Sequence, residues 1–140
     1  MKTFTADQFI PTRFDSAEQK AEFANQFVSF VKSDFSRGKF PKWFYNRLSM
    51  TFGHIAHYDQ GGFYGTFFED TAGKKRFIEQ SLGHPCYGDP EFTYCDAEQV
   101  LIKWLKENKI LEKVRQNHQE ATEKYERGIL ASLKMKYEGA

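Results

Sequence analysis

Aromatic rings dominate the apolar side chains of this chain, with 15 Phe, 7 Tyr and 2 Trp among 140 residues. No other feature restricts the fold as much. Aliphatic residues are scarce beside them, so the interior has to be assembled from flat, bulky groups that each bury about 150–250 Å². A disordered chain does not carry such a composition. A length of 140 residues is enough for one domain with a sizeable core, and a single domain over 1–140 is expected. Charge is close to balance, with 20 Lys+Arg against 19 Asp+Glu. Bulk charge therefore gives no attraction to nucleic acid or to an anionic membrane. The distribution is mildly uneven: residues 41–100 carry five basic and eight acidic groups, residues 101–140 nine basic and six acidic.

The stretch MKTFTADQFIPTRFD lacks the apolar run of a signal peptide. No segment approaches the roughly 18 apolar residues of a membrane-spanning helix. These readings place the chain in the cytoplasm. Cys86 and Cys95 are accordingly expected as reduced thiols, with a bridge between them the lesser alternative.

Capping residues and apolar spacing predict a mainly α fold of about five helices, over 15–37, 41–59, 71–82, 96–108 and 110–137, with an ordered loop over 84–95. Asp15 with Glu18, or Ser16 with Gln19, forms a capping box. Ala24, Phe27, Val28, Val31 and Phe35 follow at helical spacing, and Gly38 is the expected stop. Pro41 suits the first turn of the next helix, whose stripe is Phe44, Leu48, Phe52 and Ile55. Gly61 and Gly62 are expected to end that helix and reverse the chain by adopting positive φ. The segment FYGTFFED reads as a short strand or an aromatic turn, so at most a small β element is expected near residues 63–68. Asp70 or Thr71 caps the third helix and Gly83 closes it. Asp96 with Gln99 forms a second capping box. The last helix is largely charged, with a narrow stripe of Leu111, Val114, His118, Ala121, Tyr125, Ile129 and Leu133. That stripe lies either on its own domain, the favoured reading, or on a second chain.

Chemistry-bearing residues gather around FGHIAHYDQGGFYGTFF, residues 52–68. His54 and His57 are spaced to face a common ligand on a helix. However, zinc sites are usually marked by Cys-x-x-Cys or His-Glu-x-x-His, and neither occurs here. No metal and no cofactor are expected. A small metal-dependent or Cys/His enzyme centred on His54, His57, His84 and Cys86 is the rival reading. Lys74, Lys75 and Arg76 follow a glycine-rich stretch without a phosphate-binding pattern, and read as a solvated helix face. Nucleic-acid binding through the basic C-terminal helix is a further alternative. Aromatics and Arg dominate interface energetics, and Trp43, Tyr45, Arg47, His54, Tyr58 and Tyr64 are the candidate binding residues.

FGHIAHYDQGGFYGTFF, then HPCYGDPEFTYCD and a charged helical tail, resembles small uncharacterised proteins of bacteriophages and other mobile elements over about residues 40–140. The resemblance implies a setting rather than an activity, and it assigns no residue a role. It implies a non-enzymatic binding protein acting on a host protein, such as a component of host defence. A protein partner and either a monomer or a homodimer through the C-terminal helix follow as expectations.

Overall fold

The chain enters through an extended segment broken by a 3-10 turn at Ala6–Gln8, and Ser16 turns it into α1 (Ala17–Lys32). The Ser16 hydroxyl accepts from the Gln19 N–H at 3.1 Å, and the Gln19 side chain accepts from the Ser16 N–H at 2.7 Å. This is the capping box read from the sequence, and it satisfies two otherwise orphaned donors. The computed structural model describes residues 3–51, 60–83 and 89–138. In order, α1 is followed by α2 (Lys42–Thr51), α3 (Gln60–Phe67), α4 (Thr71–Gly83), α5 (Cys95–Glu107) and α6 (Ile110–Glu138). Among the described residues there is no strand, and the fold is mainly α. None of the described helices is long and apolar enough to cross a membrane.

The rings meet between α1, α2, α3 and α4. Phe23, Phe27 and Phe30 of α1 and Phe44 of α2 are fully buried. Phe68, just beyond α3, packs edge-on against Phe30 at 4.9 Å between centroids and against Phe77 of α4 at 5.0 Å. Phe40 and Phe63 close the same cluster. Edge-to-face and offset geometries of this kind contribute about 0.5–1.5 kcal/mol per pair beyond the area buried. Leu48 is fully buried beside Phe44 on α2, as the stripe requires. Phe52 and Ile55 lie outside the described residues.

Several boundaries differ from the sequence reading. α1 ends at Lys32 rather than near residue 37, because Asp34 and Phe35 take left-handed φ values of 58° and 60°. The Phe35 N–H donates to the Phe30 carbonyl at 2.9 Å and closes the last turn. A phenylalanine is strained there. Its ring is held in the core, stacked on Phe68 at 5.5 Å. Gly38 instead sits in a 3-10 turn, Arg37–Lys39.

The small β element near residues 63–68 is a helix. Phe63, Tyr64, Phe67 and Phe68 fall at i, i+1, i+4 and i+5, one face of a 3.6-residue period, and all four are buried. Gly61 and Gly62 lie inside the first turn of α3, and no described glycine has positive φ. Asp70 caps α4 by accepting from the Gly73 N–H at 2.6 Å. α5 begins at Cys95 with Tyr94 as its N-cap residue. Asp96 and Gln99 therefore form no capping box; Asp96 receives Lys20 and the Ile10 N–H instead.

Cys95 is disulfide-bonded, contrary to the expected reduced thiol. That expectation rested on compartment, whereas pairing is decided by which sulfurs the fold brings together. Of the loop expected over 84–95, residues 84–88 lie outside the described residues. Residues 89–94 form an ordered turn in which the Asp89 carbonyl accepts from the Phe92 and Thr93 N–H groups, each at 2.9 Å.

Candidate functional site

α2 carries three of the candidate binding residues, and the structure places them against the body of the protein. Trp43 and Arg47 are one turn apart, which brings the guanidinium over the indole at 4.6 Å. The same guanidinium donates to Asp15 Oδ1 at 3.0 Å, and the Tyr94 hydroxyl donates to Asp15 Oδ2 at 2.8 Å. Asp15 is buried, so its carboxylate pins α2 and the start of α5 to the residue before the α1 cap. Burial, then the bond to Asp15 and its charge, pushes the Tyr94 phenol well above its ordinary range. Burial works to lower the Arg47 pKa, but the bonds to Asp15 and Tyr94 outweigh it and the net shift is upward. The arrangement keeps Tyr94 protonated and Arg47 charged, with both oxygens of Asp15 engaged.

Tyr45 packs between Phe40 and Phe63, at 6.0 and 5.7 Å. The Tyr64 hydroxyl donates to the Phe35 carbonyl at 2.7 Å, which supports the left-handed turn after α1. Arg37 lies over the Tyr64 ring at 4.4 Å and pairs with Glu69. His54 and Tyr58 lie outside the described residues. Tyr45, Arg47 and Tyr64 thus make contacts that join elements of the fold, and Trp43 packs partly buried against the core.

His57, His84 and Cys86, which with His54 make up the enzyme reading, also lie outside the described residues. Among the described residues no three of His, Cys, Asp and Glu gather as a metal site would require. The basic triplet is engaged locally. Lys74 pairs with Asp34 at 3.2 Å, Lys75 with Glu79 at 3.6 Å, and Arg76 donates to the Thr66 carbonyl at 2.7 Å.

Sequence reasoning missed Lys20. It is fully buried and donates to the Pro90 carbonyl at 2.8 Å, the Thr93 carbonyl at 3.0 Å and Asp96 Oδ1 at 2.9 Å. A signal existed, since Lys20 lies on the apolar stripe of α1 one turn before Ala24. Its acceptors, seventy or more residues away in the chain, could not be read.

The surface that stands out is on α6. Its first turns pack on α4: Ile110 and Val114 are buried, His118 Nδ1 and the Thr71 hydroxyl share a hydrogen bond of 2.9 Å, and Arg115 pairs with Glu79 at 3.3 Å. Beyond His118 every residue of the helix is exposed, from Gln119 to Glu138. At 1.5 Å per residue this distal part is about 30 Å long. The stripe that begins as Leu111, Val114 and His118 continues along it as Ala121, Tyr125, Ile129 and Leu133. Tyr125 is 71% exposed, Ile129 43% and Leu133 45%. Together with Gly128 and Ser132 they line an open apolar groove. The sequence reading favoured this stripe lying wholly on its own domain; only its first three positions do.

Polar pairs brace the distal helix. Gln116 donates to Glu120 at 3.1 Å, Gln119 donates to Glu123 at 3.2 Å, and Arg127 lies 3.9 Å from Glu123. Each i,i+4 pair stabilises a helix by only about 0.2–0.5 kcal/mol. Helical stability in proteins comes mostly from tertiary packing of an amphipathic face, and Gly128 in the middle of this stretch costs a further ~1 kcal/mol relative to Ala. The distal helix therefore presents apolar side chains to solvent while lacking the packing that normally stabilises such an element. Comparison with protein-family models, with curated proteins and with solved structures finds no match for the chain.

Proposed function

We propose that this chain is a non-enzymatic protein-binding module of phage or mobile-element origin, acting on a host protein such as a defence component, and that the exposed distal half of α6 is a protein-docking element. One observation supports the reading above others: the apolar face of α6 continues for about five turns past its last contact with α4, counting 3.6 residues per turn. Contiguous exposed apolar surface rimmed by charge marks interaction sites, and an amphipathic helix seated against a partner surface is a common mode of recognition. The origin rests on the sequence resemblance alone.

Ile129→Glu with Leu133→Glu tests the reading without touching a buried residue. The two changes should leave the melting temperature of the body unaltered. In cells expressing the protein, chemical crosslinks from Lys124 and Lys134 to other polypeptide chains should be present for the wild type and lost in the variant. Crosslinks that survive the double change, or that go to nucleic acid instead, contradict the reading.

A further inference from the structure

We propose that the face of α6 beyond His118 is covered by a second copy of this chain, the two distal helices running antiparallel and crossing near Gly128. The proposal rests on the reading of α6 as a protein-docking element and names its occupant.

Charge along the helix points to that occupant. Residues 119–126 carry Glu120, Glu123 and Glu126 against Lys124, a net of −2. Residues 127–138 carry Arg127, Lys134 and Lys136 against Glu138, a net of +2. The helix is thus an acidic half followed by a basic half. A twofold interface must be self-complementary, and this pattern is: antiparallel copies set Glu120 and Glu123 of each against Lys134 and Lys136 of the other. Parallel copies would set like against like. An unrelated partner would need its own charges matched to the helix, but nothing about it would require the helix to match itself.

The shape of the face agrees with this. Gly128 lies at the boundary between the two charged halves, flanked along the groove by Ala121 and Ser132. A side chain added at Gly128 would meet no atom within 4 Å, so the glycine relieves no crowding within the chain. Small residues let two helix backbones approach closely, and the position is then explained by close approach of a second helix. Tyr125, Ile129 and Leu133 rise beside this low point and reach across it to the other copy. The crossing buries the side chains that the monomer leaves in water.

Sedimentation of the purified full-length chain over a range of concentrations, at low and high salt, tests the proposal. A reversible dimer is expected that loosens as salt screens the Glu–Lys attractions. Ile129→Glu with Leu133→Glu should weaken it at least about 30-fold, the effect of one strong interface residue. Glu120→Lys with Glu123→Lys should weaken it too, as should Lys134→Glu with Lys136→Glu, and an equal mixture of these two variants should restore a dimer. Unchanged circular dichroism of each variant confirms that the fold persists.

A monomer at all concentrations overturns the proposal. So does a dimer that tightens with salt, as a parallel pair would, or one indifferent to the changes at 129 and 133. If the wild type is monomeric but its crosslinks to another polypeptide persist, the occupant is a different protein and the docking reading stands. If the crosslinks also ignore the double change, the docking reading falls as well.

Discussion

Lys20 and Tyr94 show how single side chains hold distant parts of this chain in register. The Lys20 ammonium is buried with two carbonyls and the Asp96 carboxylate as acceptors, and it lies 5.4 Å from the Tyr94 ring centroid. Lys20→Met would keep the volume and take the ammonium donor from all three acceptors, leaving Asp96 only the N–H groups of Ile10 and Ala97. Loss of one partner from a buried pair costs about 3–5 kcal/mol, so denaturant titration should show a loss of that size; less than about 1 kcal/mol would show that the ammonium carries no structural role. Tyr94 makes a pH-dependent contribution. Its folded-state pKa is raised, so the folded chain holds the phenolic proton more tightly than the unfolded one. The associated stability is complete below the ordinary tyrosine pKa of about 10 and declines as pH rises beyond it. The stability difference between wild type and Tyr94→Phe should stay constant from neutral pH to about 9 and shrink above about 10. A difference that holds steady to about pH 11 would contradict the assignment.

At the scale of elements, the helices that announce themselves locally were legible and those fixed by tertiary contact were not. The Ser16–Gln19 box, the Asp70 cap and the break between α5 and α6 all follow from residues within one turn of the boundary. The end of α1 does not, because nothing near Phe35 in the sequence says that burying its ring outweighs a left-handed backbone. α3 was legible by period, at Phe63, Tyr64, Phe67 and Phe68, but its glycines were read as breakers. Two glycines now separate these effects. Gly65 lies on the exposed side of α3, and an added Cβ would come no closer than 3.9 Å to Glu69. Gly65→Ala should therefore stabilise by about 0.5–1 kcal/mol, the ordinary gain in a helix interior. Gly73 sits where α4 begins against the end of α3, and an added Cβ would lie 2.6 Å from the Thr66 carbonyl oxygen and 3.0 Å from the Phe67 carbonyl carbon. Gly73→Ala should destabilise by about 1–3 kcal/mol, as overpacking does. Opposite signs in thermal denaturation are the expected outcome. Destabilisation by Gly65→Ala would count against α3 as a helix.

For the whole molecule, the aromatic composition was the most informative part of the sequence. It foretold a ring-built core, and the cluster around Phe30, Phe40 and Phe68 is that core. The candidate residues it suggested, Trp43, Tyr45, Arg47 and Tyr64, have the residue types of an interface and also pack into the fold. The distal half of α6 was partly legible, since its stripe has the spacing of a packed helix over a length the chain does not cover. Where its contact with α4 stops, at His118 against Thr71, is a tertiary fact that the stripe alone does not contain.

On the proposed docking, the chain divides into an aromatic body and a helix whose outer half is stabilised by something other than that body. Hydrogen exchange on the full-length protein, resolved by segment and compared between wild type and Ile129→Glu with Leu133→Glu, distinguishes this division from a helix held by the body alone. Amides over 121–136 should be protected in the wild type at high concentration and exchange fast in the variant, while α1 and α4 keep their protection in both. Equal protection over 121–136 in the two proteins, or a loss that spreads into α1 and α4, would contradict the claim.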